Sequence, residues 1–339
     1  MLRLILLLLM ATPSFATDDP RFQPAQQDEN GEWLNNEPQE DHGLTGFLKW
    51  QWQTLGLSWQ AEPVPLLETN TEALRENQDS STLTWIGHSS FLLQHAGLNI
   101  LTDPIFSERC SPVQWAGPKR LTPTPFSLEQ LPAIDAVVIS HSHYDHLDLN
   151  TVRALNQHSQ PRFYVPMGLA EWFLQQGIDN VVELNWWQHH AQADWLFTAV
   201  PAQHFSGRTA TDRNKTLWAG WVMQHQGRKF YFAGDTGYSN DFKNIGAYFG
   251  GVDLALIPIG AYNPRWFMQP MHINPEEAVQ IHLDVGAKQS IGMHWGTFKL
   301  TDEPLLEPRQ RLEQIATTDR LKNTTFKTIK HGETLQLGF

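Results

Sequence analysis

Residues 141–146 read His-Ser-His-Tyr-Asp-His and directly follow the apolar run Ala136-Val137-Val138-Ile139. Such a run is typical of a buried strand, and open sheets present their functional groups in the loops at the carboxyl ends of strands. Imidazole and carboxylate groups are the ligands that zinc and similar divalent ions prefer. We expect the first two histidines to point one way and Asp145 with His146 another, which indicates two metal ions side by side. The alternative is a solvated polar loop that carries histidines by chance.

Three more potential ligands follow apolar segments further along the chain. His204, Asp235 and His294 each come shortly after a run that is predicted to form a strand. Gly234, directly before the aspartate, lets the backbone turn sharply. Taken singly, each of the three is more often a hydrogen-bonded structural residue. Together with the 141–146 loop, they predict that one edge of the sheets collects all of these side chains.

The composition excludes global disorder and argues against nucleic-acid binding. The chain has 339 residues, 41% of them hydrophobic, with 14 Trp and 18 Phe, which is enough for a packed core. The formal charge is -12 and no long basic run is present, whereas nucleic-acid binding needs lysine and arginine to neutralise phosphates. A phosphate-bearing substrate remains compatible with this charge, because metal ions supply positive charge locally. Cys110 is the single cysteine, so no intramolecular disulfide can form, and we interpret it as a packing residue.

Residues 1–16 are predicted to be a signal peptide. Arg3 gives a short positive start, residues 4–10 are continuously apolar, and small residues precede a cleavage position after Ala16. An uncleaved membrane anchor is the alternative. We therefore expect an exported, periplasmic protein that can associate with the membrane.

Residues 17–80 are predicted to form a tryptophan-rich N-terminal arm ahead of a main domain at 81–339. Residues 47–52 read Phe-Leu-Lys-Trp-Gln-Trp, and Leu55, Leu57 and Trp59 follow. Tryptophan at this density suits a membrane interface, where its apolar ring and its polar N–H are both satisfied. The alternative is that the arm packs onto the main domain as a cover, and the two interpretations do not exclude each other.

From residue 82 the hydrophobic pattern becomes regular and predicts two groups of strands, each followed by helices. Predicted strands cover 82–86, 91–94, 98–102, 134–140, 163–165, 181–184, 195–200, 217–224, 229–233, 254–259, 288–293 and 325–329. Predicted helices cover 149–157, 168–176, 275–285 and 305–316, the third with Asn274 as its N-cap. This order favours an α+β fold with two stacked sheets and helices outside them.

The His-x-His-x-Asp-His pattern, a distant histidine, an aspartate in Gly-Asp-Thr-Gly and a final histidine together resemble the metallo-β-lactamase superfamily. Within it, the chain is most similar to the N-acyl-phosphatidylethanolamine-hydrolysing phospholipase D family, over residues 82–309. The matching segments are 85–90, 102–107, 117–120, 141–148, 201–204, 234–238, 264–268, 272–279 and 294–298. The segments from 264 to 298 favour this family over its relatives. The signal sequence and the first eighty residues depart from it.

The resemblance implies an αββα sandwich, two stacked mixed sheets with outer helices, that holds two zinc ions at one edge. By position, the first ion would be held by His141, His143 and His204, the second by Asp145, His146 and His294, and Asp235 would bridge the two. Manganese or iron is an alternative metal, since these ligands discriminate only moderately. Catalytic roles are implied for Asp145, Asp235 and His272, with a water activated between the ions attacking phosphorus.

Four residues are interpreted as substrate contacts: His272, Lys119, Arg120 and Trp266. His272 would protonate the leaving oxygen or hold the phosphate, with a structural bond at the helix start as the alternative. Lys119 and Arg120 would attract a phosphate headgroup unless they form a plain surface turn. Trp266 would line an acyl-chain groove unless it belongs to the core.

Two further segments carry open alternatives. His88 is interpreted as a turn-stabilising residue, with a contact to a metal ligand as the alternative. The pair Trp186-Trp187 would also line an acyl-chain groove, although aromatic residues at such positions more often belong to the core.

The implied activity is hydrolysis of N-acyl-phosphatidylethanolamine, or a related phospholipid, to phosphatidic acid and N-acylethanolamine. A lactonase or a phosphodiesterase of the same superfamily acting on a small soluble substrate is the main alternative. A non-enzymatic zinc-dependent binding protein is a third, although the complete ligand set argues against it. The partners expected are a phospholipid or other phosphodiester and a membrane surface contacted through the arm. The sequence gives no indication of the oligomeric state.

Overall fold

The computed structural model describes residues 19–40, 42–55 and 63–338. The strands of its first sheet are β1 (Thr82–Gly87), β2 (Ser90–His95), β3 (Leu98–Thr102), β4 (Ala136–Val138), β5 (Arg162–Pro166), β6 (Val181–Leu184) and β14 (Thr334–Gln336). Their order is β14-β1-β2-β3-β4-β5-β6. Neighbours run antiparallel from β14 to β3 and parallel from β3 to β6, so this sheet is mixed.

The second sheet repeats this pattern of directions. Its strands are β7 (His189–Gln192), β8 (Trp195–Val200), β9 (Gly220–His225), β10 (Arg228–Phe232), β11 (Val252–Pro258), β12 (Ala287–Met293) and β13 (Thr325–Lys327). Their order is β13-β12-β11-β10-β9-β8-β7. Neighbours run antiparallel from β7 to β10 and parallel from β10 to β13.

Helices pack outside the two sheets. The helices are α1 (Gly43–Thr54), α2 (Thr71–Glu76), α3 (Leu149–His158), α4 (Ala170–Gln175), α5 (Asp241–Phe249), α6 (Arg265–Met268), α7 (Pro275–Asp284) and α8 (Glu307–Ala316). Apolar side chains of α3 and α4 belong to the core on the outer face of the first sheet. Helix α7 packs on β11 and β12, and α8 packs on β13.

Successive residues of the first sheet's strands point to opposite faces, as the geometry of a strand requires. Trp85 and Tyr164 belong to the central core between the sheets, whereas the next residues, Ile86 and Val165, belong to the outer core. The Tyr164 ring stacks on Phe197 of the second sheet with 4.1 Å between ring centroids. Each large side chain buried in this way contributes roughly 1.5–3 kcal/mol to folding.

Two hydrogen bonds join the sheets at the end of β4. The indole N–H of Trp221 donates to the Ile139 carbonyl at 2.9 Å, and the N–H of Ala219 donates to the Ser140 carbonyl at 2.9 Å. Both acceptors directly precede the 141–146 loop. The second sheet therefore fixes the point at which this loop begins.

The described part of the N-terminal arm packs onto the main domain. Phe22, Ala25 and Trp33 belong to the central core, while Trp50 is 8% exposed and Trp52 is 78% exposed. Contact with a membrane stays a prediction. No described helix combines the length and the apolar character needed to cross a bilayer. The predicted signal peptide and residues 57 and 59 lie outside the described residues.

The predicted architecture of two stacked mixed sheets with outer helices is confirmed, but helices α1, α2, α5 and α6 and strands β7 and β14 were not predicted. Strand β7 is a short edge strand without apolar alternation. Helix α5 contains Gly246, which lowers helix propensity. Strand β14 has three residues and pairs with β1 far back in the chain. The strand predicted at 217–224 begins only at Gly220.

Candidate metal centre

The 141–146 loop is fixed at both of its ends. The main-chain N–H groups of His146 and Leu147 donate to the His143 carbonyl at 3.1 and 2.8 Å, which closes a tight turn. Arg208, from the loop between β8 and β9, donates to the carbonyls of Ser142 and Leu147 at 2.6 and 2.8 Å. One guanidinium from the second sheet thus holds the loop that follows β4.

His141, His143 and His204 form what we call the imidazole group. Nε2 of His141 lies 2.8 Å from Nδ1 of His143, and Nε2 of His204 lies 3.3 Å from the same atom. Nδ1 of His204 is 2.9 Å from the Met271 carbonyl. Because a carbonyl only accepts, this nitrogen carries the proton and Nε2 keeps its lone pair. The structure therefore brings three ring nitrogens together on one point.

Asp145, His146, Asp235 and His294 form a second cluster, which we call the mixed group. Nε2 of His146 lies 3.3 Å from Oδ2 of Asp145 and 3.1 Å from Oδ2 of Asp235. Nε2 of His294 lies at the same two distances from these oxygens. The four side chains come from the loops after β4, β10 and β12, so both sheets contribute to the cluster.

These residues fit a divalent metal ion. Ligand bonds of about 2.0–2.2 Å at tetrahedral angles place ligand atoms about 3.3–3.6 Å apart, close to the 3.1 and 3.3 Å within the mixed group. His146 Nε2 and Asp235 Oδ1 are buried without a hydrogen-bond partner, and unpaired buried polar atoms are costly unless they bind something. Ligand atoms of Asp235 and His204 also lie within 4.8 Å of each other, so the aspartate adjoins both groups.

The two groups differ in their electrostatics. Burial lowers the pKa of His146, but the charges of Asp235 and Asp145 outweigh burial and hold this pKa well above its usual range. Burial likewise lowers the pKa of His294, but the charge of Asp235 and the hydrogen bonds with Asp145 and Asp235 outweigh burial and raise this pKa to about 9. In the imidazole group burial dominates and lowers the pKa of His143 to about 4. The mixed group therefore attracts cations, and the imidazole group offers neutral nitrogen ligands.

Asp103 belongs to this centre, although no role for it was predicted. Its side chain is fully buried after β3. Oδ2 lies 2.6 Å from Nδ1 of His146, and Oδ1 accepts from the N–H of Ser140 at 2.7 Å. A carboxylate at this nitrogen orients the ring so that Nε2 faces the mixed group. The signal was present in the sequence, because Asp103 follows a strand just as Asp235 does.

His88 lies in the turn between β1 and β2 with a left-handed φ of 54°. Its Nε2 is 2.9 Å from Oδ2 of Asp145, and its ring centroid is 4.0 Å from that of His294. The preferred interpretation, a residue that only stabilises a turn, is therefore corrected. The turn carries the imidazole directly onto a predicted metal ligand.

His272 lies beside both groups. Its Nδ1 is buried without a hydrogen-bond partner, 3.8 Å from Oδ2 of Asp235, and its ring centroid is 5.2 Å from that of His204. The start of α7 is capped instead by Asn274 and Glu277, which bond each other reciprocally. The side chain thus faces the centre, as a substrate or metal contact requires.

The other predicted substrate contacts lie elsewhere. Arg120 is 7% exposed and donates to two main-chain carbonyls at 3.3 and 2.7 Å. Because its side chain is buried and does not line the cavity at the centre, the predicted phosphate contact is corrected. Lys119 is exposed and does not line the cavity at the centre. Trp266 packs under the Lys49 ammonium, 4.5 Å from the ring centroid, and lines a separate cavity.

Two alternatives that the sequence left open are decided by burial. Trp186 and Trp187 are 0% and 1% exposed, and the indole N–H of Trp186 donates to the Trp218 carbonyl. They belong to the core and do not line a groove. Cys110 is 7% exposed and packs with Ile105 and Phe298, and burial raises the pKa of its thiol. It is a packing residue.

A cavity of about 640 Å³ opens beside the two groups. Residues of the centre in its lining are Asp145, Asp235, His143 and His272, and the apolar side chains include those of Phe47, Trp50, Phe205, Phe267, Met268, Met271 and Leu300. A larger cavity of about 870 Å³ is lined mainly by polar residues of the arm and of 265–270, with no predicted metal ligand among them. The smaller cavity is the candidate substrate site because it reaches the centre.

Comparison with known proteins identifies the superfamily. A family model described as the beta-lactamase superfamily domain matches residues 98–295. Two solved structures share the fold. One is Igni18, a metallo hydrolase from Ignicoccus hospitalis, which is 22% identical over 77% of this chain and 100% of that one, with a TM-score of 0.58. The other is isothiocyanate hydrolase from Delia radicum gut bacteria, which is 20% identical over 76% of this chain and 98% of that one, with a TM-score of 0.58.

Curated relatives define the family more closely. The chain is 45% identical over 263 residues to N-acyl-phosphatidylethanolamine-hydrolyzing phospholipase D 1 of Caenorhabditis elegans, covering 74% of each protein. It is 41% identical over 254 residues to the mitochondrial N-acyl-phosphatidylethanolamine-hydrolyzing phospholipase D of Saccharomyces cerevisiae, covering 72% of this chain and 54% of the relative. With this ligand set and these similarities, the chain belongs to the metallo-β-lactamase superfamily, within the N-acyl-phosphatidylethanolamine-hydrolysing phospholipase D family, and is a metal-dependent hydrolase.

Proposed function

We propose that this protein is a zinc-dependent phosphodiesterase of phospholipase D type that hydrolyses N-acyl-phosphatidylethanolamine or a related phospholipid. The names of its worm and yeast relatives support this substrate class. The bond between phosphorus and the ethanolamine oxygen breaks, and a water oxygen takes its place on phosphorus. The products are phosphatidic acid and N-acylethanolamine, whose new hydroxyl receives a proton.

The observation that carries this proposal is the chemical division of the cavity. One set of lining residues, including Asp145, Asp235 and His272, is ionisable, and the other set, including Trp50 and Leu300, is apolar. A phospholipid has the same division, with a charged phosphodiester next to acyl chains. Apolar pockets with a few convergent polar groups are typical small-molecule sites. A small soluble phosphodiester would leave most of the apolar lining without a partner.

Two zinc ions, or manganese or iron in their place, would be held by the imidazole group and the mixed group, with Asp235 between them. Bound there, the ions supply Lewis acidity to a phosphoryl oxygen and make a hydroxide nucleophile available at neutral pH. Asp103 contacts His146 of the mixed group, and His88 contacts Asp145.

His272 is proposed to contact the phosphodiester. It lines the cavity and keeps a buried Nδ1 without a hydrogen-bond partner. Burial lowers the pKa of His272 to about 4, so the imidazole is neutral at pH 7 and offers one N–H donor. This state favours a hydrogen bond to a phosphoryl oxygen over transfer of a proton to the leaving oxygen.

The test compares a lipid with a soluble phosphodiester on matched variants. Leu300→Trp adds bulk to the cavity, and Leu174→Trp, at an exposed position on α4, is its control. Purified zinc-loaded protein is given N-acyl-phosphatidylethanolamine in micelles, with mass spectrometry of the products, and separately bis(p-nitrophenyl) phosphate. We expect Leu300→Trp to lower lipid hydrolysis about tenfold, equivalent to about 1.4 kcal/mol of transition-state binding, with soluble diester hydrolysis and the control unaffected.

Asp235→Asn should abolish both reactions, because it removes the carboxylate that adjoins both groups. Intact lipid, together with cleavage of a soluble phosphodiester or a lactone, would reject the lipid assignment and leave the metal-dependent hydrolase in place.

Helix α1, together with Leu55 directly after it, is proposed as a membrane contact. Phe47, Leu48, Trp52 and Leu55 are 43%, 57%, 78% and 71% exposed, and Phe47 also lines the cavity. The exposed apolar surface is therefore continuous with the candidate lipid site. Trp52→Glu should reduce co-sedimentation with phospholipid vesicles, whereas Leu174→Glu should not, and equal sedimentation of both variants would contradict this contact.

Export is proposed from the apolar run at 4–10 and the small residues before Ala16. Fractionation of bacterial cells that express the full chain tests it. Processed protein in the periplasmic fraction would support export, and full-length protein in the cytoplasm would contradict it.

A further inference from the structure

His88 is anchored to the loop that carries the last predicted ligand. Its main-chain N–H donates to Oγ1 of Thr297 at 2.6 Å, and its carbonyl accepts from the N–H of His294 at 3.1 Å. Thr297 Oγ1 is also 2.8 Å from Nε2 of His331. The turn between β1 and β2 is therefore tied by its backbone to the segment after β12, and His88 moves with His294.

The side chain of His88 contacts one of the two groups selectively. Its Nε2 lies 2.9 Å from Oδ2 of Asp145, and its ring packs against those of His294 and His146, with centroids 4.0 and 5.3 Å away. On another side it meets the ring of Phe298. Among the described residues, no hydrogen bond or ring contact joins it to the imidazole group.

The direction of the hydrogen bond follows from its acceptor. An ionised carboxylate only accepts, so Nε2 of His88 carries the proton and donates to Asp145. Oδ2 of Asp145 also faces His146 and His294 at 3.3 Å. Without a donor behind it, this carboxylate could rotate about its side-chain bonds and withdraw the oxygen from the mixed group.

We propose that His88 is a positioning residue that holds Asp145 in place and thereby governs retention of the metal ion in the mixed group, without affecting the ion in the imidazole group. This inference rests on the two-ion arrangement proposed above. It does not depend on the identity of the substrate, because the quantity it concerns is metal occupancy.

The test measures metal content in three variants. His88→Ala removes the donor, and His88→Gln restores an N–H of similar reach. The matched control is His282→Ala, which deletes a fully buried histidine whose nitrogens bond Ser290 and Thr324, away from the ligands. Each protein is stripped with chelator, reloaded with zinc, passed over a gel-filtration column and analysed by inductively coupled plasma mass spectrometry. A chelator-competition titration then gives the affinity of each ion.

We expect His88→Ala to bind the second ion about 10- to 100-fold more weakly and to retain close to one ion per chain. His88→Gln should recover most of the second ion, and His282→Ala should keep both ions even where its thermal stability falls. Circular dichroism of the stripped proteins shows whether each variant is folded before loading.

Three results would overturn the proposal. The first is wild-type affinity for both ions in His88→Ala, and the second is a Gln variant as defective as the Ala variant. The third is equal loss of both ions, which would mean that His88 acts on the whole fold. A wild-type protein that binds only one ion would remove the two-ion basis of the inference, and that result is visible before any activity is measured. Failure to hydrolyse lipid would leave all of these metal counts unchanged.

Discussion

Replacing Asp103 with asparagine should weaken metal binding without leaving a cavity, because the two side chains have nearly the same shape. The wild-type carboxylate is fully buried and accepts from Nδ1 of His146, from the N–H of Ser140 and from the Ser140 hydroxyl. Asparagine has the same shape but only one acceptor oxygen. Whichever way the amide is placed, its NH2 faces a group that donated to the carboxylate.

The magnitude follows from the two placements of that amide. If the NH2 faces Ser140 N–H, a buried donor is left unpaired at a cost of about 1–3 kcal/mol. If it faces His146, the imidazole must accept through Nδ1, so its proton moves to Nε2, which points into the mixed group. Disturbing the partner of a metal-binding histidine typically lowers metal affinity about 10- to 100-fold. The second placement predicts a loss of metal affinity of this size. The first leaves an acceptor at Nδ1 of His146, but a neutral carbonyl in place of the carboxylate makes the ring a less basic ligand, so metal affinity should fall there as well.

The assay is a zinc titration of stripped protein against a chromophoric chelator, at pH 7 and fixed ionic strength. Asp135→Asn is the matched control, because Asp135 also accepts from a main-chain N–H, that of Asn99, but lies before β4, at the end of the strand away from the loop. A zinc affinity of Asp103→Asn equal to that of the wild type would refute the orienting role. An equal loss in the control would refute it as well.

Three further predictions concern stability and the geometry of the centre. Burial lowers the pKa of His282 from 6.5 to about 4. Between these two values the folded protein keeps the imidazole neutral while the unfolded chain protonates it, so the free energy of unfolding should fall as the pH drops from 6.5 towards 4. In urea unfolding, His282→Gln should lose on the order of 3 kcal/mol less stability over this pH range than the wild type. An unchanged slope would contradict this. Gly260→Ala would place a Cβ in steric conflict with the carbonyl oxygen of His294, so zinc content after gel filtration should fall. Full zinc occupancy of this variant would show that the backbone at His294 can shift without loss of the ion. Arg208→Lys shortens the side chain by one bond, so its ammonium should fall short of the carbonyls of Ser142 and Leu147 that one guanidinium nitrogen binds. The midpoint of thermal unfolding should then shift down by about 2–4 °C for each 1 kcal/mol lost, and an unchanged midpoint would show that these two hydrogen bonds do not stabilise the fold.

The predicted metal ligands could be read from the sequence because each is local to a strand end. A strand pattern followed by a histidine or aspartate places that side chain at a sheet edge without knowledge of the partners. Asp235 shows this clearly, since Gly234 before it adopts the left-handed φ of 64° that the sharp turn requires.

The supporting contacts could not be read in the same way, because they join residues far apart in the chain. His88 and Asp145 are 57 positions apart, and no local pattern distinguishes their contact from an ordinary turn. The burial of Arg120 could not be predicted from the sequence for a related reason, since a charged residue near Pro118 is usually exposed, and only tertiary packing on Phe298 buries it. The three residues of β14 become a strand only when β1 is there to pair with them.

The centre draws side chains from both sheets, with His146 following β4 of one and His204 and His294 following β8 and β12 of the other. A divalent ion held there is a cross-link between two halves of the molecule. By thermodynamic reciprocity, a change that raises the affinity for the ion also stabilises the contact between the two sheets. A change that separates the sheets lowers the affinity for the ion by the same free energy. Metal binding and the association of the two sheets are thus thermodynamically linked in this fold. A chelator that removes the ions would therefore also weaken the packing of one sheet against the other.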